Sequence, residues 1–174
     1  YGFSIAVQAT VSRRRGEGDL LGCGPNLSAA LLVIGISAPI LSGILYFAIP
    51  SLFPLVNNDP EVVAIGIDYI RWLIIQAVFV GFIAANSGFW NGIGLPRIYL
   101  PSLLIMHASN VLFNYIFIFG NFGAPEMGAE GAGFATALAA VVGSVLFLVL
   151  GLRHGKPYAY LARLPTLAEL RQNL

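Results

Sequence analysis

An all-α fold, a polytopic bundle of membrane-spanning helices, follows from three features of the sequence. Hydrophobic residues make up 57% of the chain and charged residues 10%, a balance that leaves too little polar surface to cover a water-soluble domain of this length. Residues 27–56, 72–96 and 131–152 contain no Asp, Glu, Lys, Arg or His, and residues 98–125 contain only His107. Each run reaches the roughly 20 apolar residues that a helix needs to cross a bilayer. An open sheet would leave backbone groups unpaired in hydrocarbon, and the runs are longer than barrel strands of about 10 residues, so helices are the remaining solution.

Taken in order, residues 1–12 read as the end of a helix already under way at Tyr1, with no initiator Met and no charged leader before it. The expected architecture is therefore four complete transmembrane helices plus the end of a fifth, in a piece of a longer chain. Arg13, Arg14 and Arg15 close the first segment and read as a topology signal or a contact for anionic membrane lipids. The first full span carries Pro39 at its middle, which predicts a kink, and Pro50 and Pro54 where it leaves the membrane. Near the start of the second, Asp68 and Arg71 lie one helical turn apart and can pair at headgroup level as an interfacial anchor.

The second span also holds Gln76, Asn86, Ser87 and Asn91, whose spacing forms no single stripe and suggests no role. The fourth presents small residues on two adjoining stripes, Gly131, Ala135, Ala139 and Gly143 beside Ala132, Thr136, Ala140 and Ser144. Such stripes let neighbouring backbones approach closely and predict a packing surface. Beyond this span, Pro157 and Pro165 interrupt an interfacial tail with capping-box spacing from Thr166 to Glu169, ahead of Leu170 and Leu174.

Arg13 to Arg15, Arg97, Arg153, Lys156, Arg163 and Arg171 fall at alternate junctions or in the tail, whereas Asp59, Glu61, Glu126 and Glu130 occupy the opposite junctions without a basic residue. Residues 13–26 and 153–174 are accordingly expected on the cytoplasmic side. A formal net charge of +1 gives no bulk field for nucleic acid. Cys23 stands alone, which excludes an internal disulfide framework or a cysteine metal cluster, and it reads as structural. No pair of acids, HExxH pattern or Ser with a base occurs within the spans, so enzyme chemistry is not expected.

The residues that point to function lie in the third full span. His107, Asn110 and Asn114, at i, i+3 and i+7, share one face of an otherwise apolar helix and must face protein or water. Asn110 lies roughly 20 Å along the helix from Arg97, near the midplane, and Asn114 about 6 Å further. Thr136, about 8 Å into the antiparallel fourth span, is expected level with Asn114, with the backbone near Ala132 alongside and Asn110 a turn deeper. Such hard oxygen donors suit an alkali ion, although the set lacks a carboxylate. The same asparagines would equally serve as interhelical hydrogen bonds. His107 carries the imidazole that changes charge nearest neutral pH and is a candidate proton-linked residue or a satisfied core histidine.

In their order along the chain, residues 11–19 (VSRRRGEGD), 69–71 (YIR), 91–97 (NGIGLPR), 109–120 (SNVLFNYIFIFG) and 128–136 (GAEGAGFAT) resemble the multidrug and toxic compound extrusion (MATE) family, from its second to its sixth helix. Leu95 and Pro96 depart from a turn that is more polar in many relatives. The resemblance implies a transporter of two six-helix bundles that exchanges Na⁺ or H⁺ for drugs or organic cations, without any cofactor. It makes residues 1–152 a partial amino-terminal lobe and 153–174 a connector to a missing second lobe, placed in a plasma membrane, the inner one in bacteria. Asn110 and Asn114 would lie in that lobe's cation and substrate chamber, with Ala132 and Thr136 supplying oxygens. The family's first-helix acidic residue falls outside the matching stretch.

Two other readings stand beside it. A lipid-linked oligosaccharide flippase would need Arg and Lys for pyrophosphate within its cavity, and the midspan regions have none. A non-transporting assembly subunit would oligomerise without binding a cation.

Overall fold

The computed structural model describes residues 2–162. Arg163, Pro165, the spacing from Thr166 to Glu169, Leu170, Arg171 and Leu174 lie outside the described residues. Five helices form the bundle: α1 (Gly2–Gly16), α2 (Cys23–Leu52), α3 (Pro60–Gly92), α4 (Leu100–Phe119) and α5 (Gly128–His154). The last four are each long and apolar enough to span a membrane, and among the described residues there is no strand. The all-α, four-plus-one architecture is the one expected.

Local chemistry accounts for the helix boundaries. Asp59 caps α3, its Oδ1 accepting from the backbone N–H of Glu61 at 3.0 Å, while Pro60 takes the first helical position where no donor is needed. Gly120, at φ 68°, ends α4 in the left-handed conformation that a side chain would resist. Helix α2 continues through both Pro39 and Pro50, then tightens into a 3-10 turn at Phe53–Leu55. It starts at Cys23, just after Asp19, whose Oδ1 accepts from the Gly22 N–H at 2.9 Å while its Oδ2 pairs with Arg14 at 3.0 Å.

Helix α3 packs against α1, α2 and α5, and α5 packs against both α3 and α4. The small residues of α5 make this double contact possible. A Cβ on Gly131 would meet the carbonyl of Phe117 on α4, and one on Gly133 the carbonyl of Tyr69 on α3. Thus α5 is the most covered of the spanning helices.

The apolar core gathers at the arginine-bearing end, around Val11, Cys23, Leu27, Phe89, Trp90, Ile93, Tyr99 and Phe147. The chain leaving α5 completes it. After a 3-10 turn at Lys156–Tyr158, Tyr160 turns back into the bundle and is 6% exposed. It stacks on Trp90 with centroids 6.4 Å apart, and its hydroxyl donates to the buried Asn86 Oδ1 at 2.7 Å. Gly24 lies against the carbonyl of Ala159, where a side chain would have no room.

At the acidic end, the guanidinium of Arg71 bonds Asp68 through Nη1 at 3.3 Å and lies 5.0 Å over the ring of Tyr46. The expected Asp68–Arg71 pair is formed. Of the basic run, Arg13 reaches Glu17 at 3.5 Å in addition to the Arg14–Asp19 pair, so two of its three charges are locally balanced.

Candidate functional site

Helix α4 has its polar face turned to α5 because the small residues of α5 admit side chains there that larger neighbours would exclude. The result is a hydrogen-bonded ladder between the two helices. Asn114 Nδ2 donates to Asn110 Oδ1 at 3.1 Å, Asn110 Nδ2 donates to Thr136 Oγ1 at 3.2 Å, and the Thr136 hydroxyl donates to the Ala132 carbonyl at 2.7 Å. Asn114 Oδ1 is buried and has no partner among the described residues.

Thr136 therefore meets Asn110, a turn deeper than the level-matching with Asn114 placed it. The cause is the turn between the helices. The N–H of Met127 bonds the carbonyl of Phe117 at 2.9 Å, and Gly131 packs on that same carbonyl. Helix α5 begins at Gly128, so Gly131 is already one turn inside it and lies level with Phe117 rather than Gly120, three residues or about 4.5 Å deeper.

Beside the ladder, a cavity of about 280 Å³ opens between α3, α4 and α5. Gln76, His107, Asn110 and Thr136 supply its polar wall, and Val80, Ile83, Met106, Ala139 and Ala140 its apolar one. Asn114 and Ala132 are not among the lining residues; they hold Asn110 and Thr136 from the side. His107 is exposed and makes no hydrogen bond among the described residues. Gln76, given no role from its spacing, lines the cavity with Val80 and Ile83 at i, i+4 and i+7. That stripe is readable only once α3 is known to pack on α5.

No carboxylate lines this cavity, and among the described residues no group of three or more His, Cys, Asp or Glu side chains could hold a metal ion. The ladder offers neutral oxygen, two amide oxygens, one hydroxyl and one carbonyl, and Gln76 adds a third amide on the cavity wall. Most of these are already engaged by N–H or O–H donors. Asn110 can present its oxygen outward only by breaking a rung of the ladder, whereas Asn114 Oδ1 is already without a partner among the described residues.

Spanning helices around an internal polar ladder define a multi-pass membrane protein whose interior, rather than its lipid face, carries the polar chemistry. Residues 1–116 match the MatE family, and the chain belongs to it. Multidrug resistance protein PmpM of Pseudomonas aeruginosa is 29% identical over 155 residues, covering 87% of this chain and 31% of that protein. The probable multidrug resistance protein NorM of Streptococcus pneumoniae strain R6 is 30% identical over 108 residues, covering 62% and 24%. An inward-facing multidrug resistance MATE transporter of the MOP superfamily shares the fold with a TM-score of 0.86 at 24% identity, over 99% of this chain and 39% of that one. A MATE crystal structure in complex with Br-NRF aligns with a TM-score of 0.81 at 23% identity, over 99% and 39%. The chain spans about a third of the length of the relatives it matches.

Proposed function

We propose that this chain forms part of the amino-terminal lobe of a cation-coupled secondary transporter, which exports drugs or organic cations in exchange for Na⁺ or H⁺. The observation that carries this reading is the ladder from Asn114 through Asn110 to Thr136 and Ala132, set beside a cavity with a polar wall. In this reading residues 153–174 lead to a second lobe, and the arginine-bearing end is cytoplasmic in a bacterial inner membrane. Membrane lipids and the second lobe are its partners.

The ladder suits a coupling site because it has two self-consistent states. Without an ion, Asn110, Thr136 and the Asn114 amide N–H are satisfied within the ladder, and Asn114 Oδ1 is left without a partner among the described residues. An alkali ion would draw the oxygens of Asn110, Asn114, Thr136 and Ala132 towards itself and displace the Asn110–Thr136 rung. Breaking that rung changes the contact between α4 and α5, so ion occupancy and helix position become linked. A carboxylate from elsewhere in the intact protein would supply the negative charge that these neutral oxygens lack. For proton coupling, His107 offers a titratable group on the cavity wall.

The test is drug accumulation in cells expressing the intact transporter that carries this sequence, across a Na⁺ series and a pH series. Asn110→Ala and Asn114→Ala are expected to reduce efflux and flatten its cation dependence. Efflux with unchanged cation dependence in both variants would refute the assignment. Loss of only the pH dependence in His107→Ala would assign coupling to protons.

A further inference from the structure

A second groove lies at the acidic end of the bundle, apart from the ladder and its cavity. One limb, about 280 Å³, runs between α2 and α3 and is walled by Ser42, Gly43, Ile74, Val78 and Phe79. It is apolar throughout, because the Ser42 hydroxyl is spent on the Ile74 carbonyl at 3.0 Å. The other limb, about 130 Å³, is lined by Asp68, Arg71, Trp72 and Glu130. Tyr46 and Ile75 line both limbs, which makes them one continuous groove with an apolar length and a charged end.

We propose that this groove seats a phospholipid of the phosphatidylethanolamine type, with an acyl chain between α2 and α3 and its ammonium-phosphate headgroup among Asp68, Arg71 and Glu130.

Charge complementarity selects this occupant. The polar limb offers both signs, one guanidinium for a phosphate and two carboxylates for an ammonium. Arg71 spends Nη1 on Asp68 at 3.3 Å and its Nε is enclosed without a partner among the described residues, which leaves Nη2 as the donor that faces outward for a phosphate. Glu130 accepts one bond, from Trp72 Nε1 at 3.3 Å, through Oε1. A primary ammonium donates to carboxylates, whereas an anionic headgroup without one would face two carboxylates against a single cation. A quaternary ammonium would need open aromatic faces. The ring of Tyr46 already faces Arg71, and Trp72 packs edge-to-face on Phe134 at 4.8 Å.

Depth agrees with the assignment. Helix α3 has 33 residues, about 50 Å, against a hydrocarbon core of about 30 Å, so roughly 10 Å extends beyond the core at each end. Asp68 and Arg71 lie about 12 and 17 Å from the helix start. That puts their backbone about 2 and 7 Å inside the edge of the hydrocarbon core, from which their side chains reach back to the level where a lipid's phosphate and first methylenes meet. The site is independent of the transport reading and stands or falls by lipid binding.

The experiment is native mass spectrometry of the intact protein that carries this sequence, from maltoside micelles. Phosphatidylethanolamine, phosphatidylglycerol and tetraphenylphosphonium are offered separately and in competition, with helicity checked by circular dichroism. The ethanolamine lipid is expected to be retained about tenfold over the glycerol lipid, and Arg71→Gln to reduce that retention about tenfold, the scale of one charge-assisted hydrogen bond. Gly43→Leu tests the apolar limb without disturbing the fold. A Cβ there meets nothing within 4 Å, so the side chain occupies the groove and should lower retention at unchanged helicity. Equal retention of the two lipids, preference for tetraphenylphosphonium, or full retention in Gly43→Leu would each overturn the proposal.

Discussion

Replacing Tyr160 with Phe removes one oxygen atom and keeps the ring. The ring packs edge-to-face on Phe89 at 5.6 Å and stacks on Trp90 at 6.4 Å, and Phe retains both contacts. What is lost is the 2.7 Å hydrogen bond to Asn86 Oδ1, in a side chain that is 0% exposed. An acceptor buried without a partner costs about 1–3 kcal/mol, so Tyr160→Phe should destabilise by that amount. Tyr160→Ala also empties the space between Trp90 and Gly151 and should cost about 3–5 kcal/mol. Pairing Tyr160→Phe with Asn86→Leu removes both polar partners at similar volume and should recover most of the loss. The assay is equilibrium unfolding of the purified chain in mixed SDS and maltoside micelles, followed by Trp90 fluorescence in a Trp72→Phe background. A Tyr160→Phe midpoint within about 0.5 kcal/mol of the parent, with no coupling to Asn86 in the cycle, would refute the seating of Tyr160 in the bundle.

Two further outcomes use the same unfolding assay. Burial pushes the Tyr160 hydroxyl's pKa upward, above the ordinary tyrosine value of about 10. As an acid whose folded-state pKa is raised, it contributes stability that is fully present below about pH 10 and lost above it, where the unfolded chain ionises first. The difference between Tyr160 and Tyr160→Phe should therefore be constant from neutral pH to about 9.5 and shrink at higher pH; a change between pH 6 and 9 would contradict it. Gly131→Ala places a Cβ 2.5 Å from the Phe117 carbonyl oxygen and should destabilise by about 1–3 kcal/mol. Gly35→Ala, whose Cβ meets nothing within 4 Å, should be neutral or stabilising by about 0.5–1 kcal/mol; equal effects would refute close α4–α5 packing.

Much of the architecture was legible because lipid removes alternatives. Charge-free runs of spanning length admit only helices, and Asp68–Arg71 could be paired by helical spacing within one element. The ladder was legible in its members but not in its register. Counting residues from Gly131 took the helix to begin there, whereas α5 begins at Gly128 and Gly131 already packs on Phe117 one turn in. Gln76 and Tyr160 were illegible for a different reason. Their neighbours lie on elements that are not adjacent in sequence, with Gln76 lining one cavity with Thr136 and Tyr160 reaching Asn86. A single polar residue in an apolar span carries no record of which neighbour satisfies it. Around Tyr160 the chain even disguises the turn, since Ala159 at φ 51° and Leu161 at φ 50° hold left-handed positions without glycine.

The division of packing along the bundle bears on how an ion could act. The arginine-bearing end concentrates the large buried side chains and is tied by Tyr160 to Asn86 and by Ala159 to Gly24. The ladder sits where α4 meets α5 alone on one side and an open cavity on the other. Displacing α4 there would disturb the Phe117–Phe134 pair, centroids 4.8 Å apart, whereas displacing the arginine-bearing end would open the whole aromatic core. In the proposed mechanism the competitor of an incoming cation is the Asn110 amide N–H, already held by Thr136, rather than bulk water. The ion's affinity is then set by the difference between the ion-bound arrangement and an ion-free ladder that is satisfied, among the described residues, except at Asn114 Oδ1. Only that difference, not the strength of the ion's contacts taken alone, is available to shift the lobe between conformations. Neutral oxygens keep the difference small, so the driving force for a committed switch must come from a charge delivered by another helix of the intact protein.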